Sequence, residues 1–135
     1  DSYWYLPGTT MRLHDQAAGA LERELHRQTG LKPKVGRLIW AVNGYFQVNA
    51  EIQHEVGLYH LVNFERDSAI YRLDAPFYGI ENANPAGQLV FQWFPRYASL
   101  LENLPLQPKF LARAVEKLPI TPEYIVYRDS AAVTI

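Results

Sequence analysis

Asp15, Arg23, Glu24, Arg27 and Gln28 carry most of the chemistry that this chain offers, and all lie within fourteen consecutive residues. From Ala17 to Thr29 the apolar residues Ala17, Leu21 and Leu25 recur every four positions, the stripe of a helix packed on one side. Side chains three and four apart on a helix are neighbours, so Glu24 meets Arg27 and Gln28. A carboxylate then stands beside a permanent cation and an amide. Glu24 can ligate a hard divalent cation, with the Gln28 carbonyl oxygen as a weaker, uncharged donor. Arg27 can instead hold a phosphate directly, which gives binding without activation of water. The plain alternative is a solvated helix face on which Glu24 pairs with Arg27 or Arg23, worth a few tenths of a kcal/mol.

The elements around the helix define how these groups are presented. Residues 2–6 form an aromatic run that suits a strand entering the loop at Pro7-Gly8. Asp15 is placed to cap the helix or to sit in its first turn, and Gly30 to stop it. Residues 35–42 read as a strand, Asn43-Gly44 as a hairpin turn, and 45–48 as the returning strand. The mostly apolar run 55–62 reads as a central strand, and 88–94 as a further one. Residues 75–87 are rich in turn formers and read as a loop, where Phe77 and Tyr78 can stack on a nucleobase. A helix is expected over 109–118, and residues 124–127 as a late strand or an extended tail. Several strands with two helices indicate a mixed sheet packed between helices.

The segment LPGTTMRLHDQAAGALERELHRQTGL, residues 6–31, resembles the signature of the Nudix hydrolases, G-x5-E-x7-R-E-U-x-E-E-x-G-U with U aliphatic. Arg23, Glu24, Leu25, Gly30 and Leu31 match, five of the nine specified positions, and the spacing needs no insertion. Thr9 stands where the pattern has its first glycine, Asp15 where it has its first glutamate, and Arg27 and Gln28 where it has the glutamate pair. Residues 54–59, 91–95 and 108–112 look like segments that follow the box in many members.

The resemblance implies a Nudix fold, an α/β/α sandwich forming a single domain over 1–135, with an N-terminal hairpin upstream of residue 1. It implies Mg²⁺-dependent diphosphate hydrolysis, in which divalent cations neutralise the charge on the phosphate oxygens and activate water. Glu24, Asp15 and Arg23 would be the remnant of the catalytic set, Glu24 and Gln28 a weak metal site, and Arg27, Gln28, Phe77 and Tyr78 the ligand contacts. A guanidinium at 27 repels Mg²⁺ rather than coordinating it. The expected protein therefore binds a nucleotide-like or phosphorylated ligand and hydrolyses it weakly or not at all. A working pyrophosphohydrolase of a nucleoside diphosphate derivative, with Glu55 as a further ligand, and an interaction module that keeps only the scaffold are the two alternatives. Many relatives pair, so a homodimer is expected.

Composition narrows the partners. A formal net charge of −1 gives no electrostatic reason to expect long nucleic acid or an anionic membrane. The absence of cysteine removes thiolate chemistry and is compatible with a reducing cytoplasm, the expected location. His54 and His60 are six apart on one strand, hence about 20 Å apart along it, and His14 and His26 sit at opposite ends of the loop–helix unit. No metal-ligand spacing emerges among them.

Overall fold

In a computed structural model, which describes residues 3–79 and 89–128, the chain is a mixed α/β protein. The element order is α1 (Ala17–Thr29), β1 (Lys34–Val48), β2 (Glu51–Asn63), a 3-10 helix (Ala69–Arg72), β3 (Phe77–Tyr78), β4 (Val90–Phe91), α2 (Ala98–Leu101), α3 (Leu111–Ala114) and β5 (Glu123–Arg128). Backbone contacts divide it into two compact units. One comprises residues 1–5, 37–61 and 96–135, the other 6–36 and 62–95.

The first unit holds most of a three-stranded sheet in the order β2-β1-β5. β1 and β2 are joined through Asn49 and Ala50, both with positive φ (50° and 68°). That is the backbone of a two-residue hairpin turn, whose twist matches the strands it joins. β5 runs parallel to β1, with Trp40 opposite Glu123 and Tyr45 opposite Arg128. Of the two readings of 124–127, a late strand or an extended tail, the strand is the one that forms. This sheet builds the core: Ile39, Trp40 and Val42 are buried with Leu111 of α3, and Tyr59, Phe110, Ile125 and Tyr127 pack around them. The Trp40 ring meets Tyr59 and Phe110 edge-on, 5.8 and 6.2 Å between centroids, an arrangement aromatic quadrupoles favour.

The hairpin turn expected at Asn43-Gly44 is not formed. Both residues lie inside β1, opposite Val126 and Tyr127. The turn at 49–50 gives strands of fifteen and thirteen residues, whereas one at 43–44 would leave a returning strand of four. Local groups also suit the extended form. A Cβ on Gly44 would come 2.6 Å from the Phe46 ring, which lies over it. The Asn43 amide donates to the Tyr124 hydroxyl at 3.0 Å and its carbonyl oxygen meets His54 Nε2.

Other expectations are corrected in the same unit. The run at 55–62 lies in β2, an edge of this sheet rather than its centre; its alternate residues Val56 and Leu58 are exposed. Among the described residues, the aromatic run at the start forms one isolated bridge, Trp4 with Leu106, in place of a strand. The helix expected over 109–118 shrinks to Leu111–Ala114. Pro119 disfavours helical backbone at Leu118, so the turn dissolves before it. The short helix α2 was not foreseen; its first amide, Ala98 N–H, is capped by Glu116 Oε1 at 2.7 Å.

In the second unit the helix predicted over 17–29 forms over those residues. Gly30 ends it in the left-handed conformation, φ 74°, its N–H donating to the His26 carbonyl. Thr29 Oγ1 donates to the Leu25 carbonyl at 2.7 Å. Only Val90–Phe91 of the strand expected at 88–94 pairs, antiparallel to Phe77–Tyr78; Gln88 lies outside the described residues. Trp93 follows, its indole N–H donating to the Ile70 carbonyl at 2.7 Å with its ring stacked on Tyr71. No helix among the described residues is long and apolar enough to cross a membrane.

Candidate functional site around Glu24

Helix α1 buries more than the apolar stripe implies. Ala20, Leu25 and Gln28 are its buried residues, so the row 20–24–28 turns inward beside Leu21 and Leu25. Four-residue spacing stacks these side chains on one face. Glu24 is accordingly only partly exposed, at 19% of its side chain, while Arg27 projects outward at 48%.

Two polar side chains, Gln28 of this row and the adjacent Arg27, converge on the Glu24 carboxylate. Arg27 Nε lies 3.0 and 3.2 Å from the two oxygens of Glu24, and Arg27 Nη2 also donates to Oε1. Gln28 Nε2 donates to the same Oε1 at 3.3 Å. The hydrogen bond from Arg27 is the largest influence on Glu24 and holds its carboxyl below the usual glutamate value, against the opposing effect of burial. The partner guanidinium is held the more firmly protonated by the same bond.

Gln28 completes the arrangement with a defect. It is 6% exposed and is the buried polar residue of the described core. Its amide nitrogen faces Glu24, and its Oε1 is buried without a hydrogen-bond partner among the described residues. Gly79 passes close by: a Cβ there would sit 3.0 Å from the Gln28 backbone oxygen and 2.9 Å from the Phe91 ring. This approach was not foreseen, and glycine followed by turn formers was its only trace in the sequence.

Asp15 and Arg23 form a second pair. Arg23 Nη2 lies 2.9 Å from Asp15 Oδ1, and Asp15 Oδ2 accepts the Arg12 backbone N–H at 2.9 Å. That backbone bond is the main reason the Asp15 carboxyl sits below its ordinary value, with Arg23 adding to it. The expected capping role is not the one Asp15 takes. The residue before the helix is Gln16, which makes no side-chain cap, and Asp15 closes the preceding loop instead. The left-handed residue of that loop is His14, φ 73°.

Phe77 and Tyr78 stand in β3 rather than in an open loop. Phe77 is stacked on Phe91, 5.5 Å between centroids and 19° between planes. One face of its ring is therefore taken. Tyr78 is 65% exposed. Residues 80–87 of the expected loop lie outside the described residues.

This donor set does not fit Mg²⁺. The ion takes several hard oxygen ligands and is held through carboxylates. Among the described residues around Glu24 there is a single carboxylate, already engaged by a guanidinium and an amide N–H. No group of three or more His, Asp or Glu side chains gathers among the described residues. The geometry suits an internally neutralised pair with two Arg residues, 23 and 27, one turn apart on the helix.

Comparison with known proteins gives a distant likeness. No family model matches the chain. It is 34% identical over 58 residues to the human diphosphoinositol polyphosphate phosphohydrolases 3-alpha and 3-beta, which is 43% of this chain and 33% of each relative. The chain spans about a third of the length of these relatives. Both are phosphohydrolases by name, so the likeness supports a relation to Nudix-type phosphohydrolases at the level of distant sequence similarity.

Proposed function

We propose that this is a Nudix-type protein with a degenerate metal site, which binds a small phosphorylated or nucleotide-like ligand and hydrolyses it weakly or not at all. One observation carries the reading: the Glu24 carboxylate is occupied by Arg27 and Gln28, the two residues that stand where the signature has its acidic pair. A guanidinium in that place supplies fixed positive charge without a coordination shell, so no water is activated. What the site keeps is donors. Arg27 uses Nε and Nη2 on Glu24, and its remaining N–H groups, with those of Arg23, can meet phosphate oxygens. The distant likeness to enzymes named for hydrolysing diphosphoinositol polyphosphates supports a phosphorylated ligand. The same likeness favours the second reading, a working Mg²⁺-dependent pyrophosphohydrolase, whose ligands would have to come from outside this row.

The two separate in one experiment. The chain is incubated with Mg²⁺ and a panel of nucleoside diphosphate derivatives, and its melting temperature is followed with ADP-ribose and nucleotides. A thermal upshift of a few degrees without turnover is expected. Turnover at about 1 s⁻¹ or faster, within the ordinary enzymatic range, would overturn the proposal. Neither turnover nor upshift would leave only a scaffold for protein contacts.

A further inference from the structure

Past the Gly30 stop the chain runs Leu31-Lys32-Pro33-Lys34 into β1. Pro33 is buried, and a proline disfavours helical backbone at the residue before it, so Lys32 continues extended. Two apart on extended chain, Lys32 and Lys34 project to one side. They line a cleft of about 720 Å³ together with Phe64, Arg66 and Ser68, from the segment that follows β2.

The charges in this cleft are unevenly matched. Its two carboxylates are Glu22 and Glu65. Lys32 Nζ lies 4.0 Å from Glu22, at the outer limit of an ion pair. Lys34 and Arg66 form no ion pair with a described residue. Ser68 Oγ accepts the Ile70 N–H at 3.3 Å, which leaves its hydroxyl proton to donate. Phe64 gives a half-buried apolar wall, its ring edge-on to Tyr71 and its backbone N–H donating to the Tyr71 hydroxyl at 2.7 Å.

We infer that this cleft binds a small ligand carrying two or more phosphoryl groups. Uncompensated cations in a concavity concentrate anions. A phosphoryl group suits both the fork of Arg66 and the point charge of Lys34. These two cations come from different segments of the lining, so a ligand with more than one phosphoryl group engages both at once. The cleft uses none of Asp15, Arg23, Glu24, Arg27 or Gln28, and the inference stands apart from the proposed function.

The test is calorimetric titration of inorganic tripolyphosphate at low ionic strength into the unaltered chain and into Lys34→Gln/Arg66→Gln. Both residues are exposed, and unchanged melting curves will show that the variant folds. Binding to the unaltered chain is expected, weakened at least about tenfold in the double variant, the scale of one lost charge-assisted hydrogen bond. Lys117→Gln, which removes an exposed cation outside the cleft, should bind as the unaltered chain does. No binding to the unaltered chain, undiminished binding to the double variant, or an equal loss of binding in Lys117→Gln would each overturn the inference. Undiminished binding to the double variant together with loss in Arg27→Met would place the anion on α1 and support the proposed function instead.

Discussion

Arg27 and Glu24 are bound side-on, with the guanidinium Nε 3.0 and 3.2 Å from the two carboxylate oxygens. The pair closes within a single turn of α1, so it needs no other element to form. It follows that the arrangement is local to the helix. With Arg27 and Gln28 on it, this face of α1 presents one neutralised carboxylate.

On the proposed reading, an acidic pair at 27 and 28 should confer metal affinity. Arg27→Glu/Gln28→Glu places three carboxylates within reach of one ion. The double variant is expected to bind Mg²⁺ at least about tenfold more tightly than the unaltered chain, roughly 1.4 kcal/mol or more. Without the ion its like charges repel, so its melting temperature should fall and then recover as Mg²⁺ is added. Calorimetry and thermal melts with and without Mg²⁺ read both effects. An unchanged Mg²⁺ affinity would mean that the pocket differs from a metal site beyond these two positions.

The acid limb of stability should carry the mark of the same pair. Glu24 titrates below its ordinary value of 4.5, chiefly because of the Arg27 hydrogen bond. A depressed folded-state pKa contributes stability that is fully present above the unfolded value and lost as pH falls through the folded one. Arg27→Met should thus cost most near neutral pH and progressively less below about pH 4.5. With the guanidinium in solvent, screening keeps this cost small. Urea midpoints at pH 7 and pH 3 measure it; an equal cost at both values would show that Arg27 acts through packing alone.

Helix α1 was legible from sequence because its signals are local: a four-residue apolar stripe, a glycine stop and no competing partner. The long hairpin was not. Asn43-Gly44 is a stronger turn pair than Asn49-Ala50 by residue preference, yet the ladder between fifteen- and thirteen-residue strands outweighs it. That sum is non-local and no window of residues contains it. The role of Gln28 was hidden for a related reason. Periodicity placed it beside Glu24, but whether that row faces inward depends on what packs over it, here Gly79 and Phe91. Phe77 likewise read as a loop aromatic until its partner Phe91, fourteen residues on, could be placed against it.

The hairpin offers a test of its own. Ala50 holds φ at 68°, a conformation that costs a residue with a Cβ roughly 1–2 kcal/mol and glycine almost nothing. Ala50→Gly makes the turn Asn-Gly. After the extra chain entropy of glycine in the unfolded state is subtracted, the variant should gain about 0.5–1 kcal/mol. Gly44→Ala should act in the opposite sense, because its Cβ would collide with the Phe46 ring and force it to move. Denaturant unfolding of both variants decides the matter, and a destabilised Ala50→Gly would place the turn elsewhere.

Gln28 supplies the last test, since its buried Oε1 has no partner among the described residues. An unsatisfied buried carbonyl costs about 1–3 kcal/mol, more than a 3.3 Å bond from its amide to Glu24 returns. Methionine has nearly the same shape and no polar group to leave unpaired. Gln28→Met is therefore expected to stabilise the chain by about 0.5–1 kcal/mol. If the carbonyl instead serves a ligand, the same variant should also lose the thermal upshift given by ADP-ribose. A natural residue that lowers stability and raises ligand affinity is one retained for binding. A destabilised Gln28→Met with its upshift intact would show that the amide is a structural strut for Glu24 and nothing more.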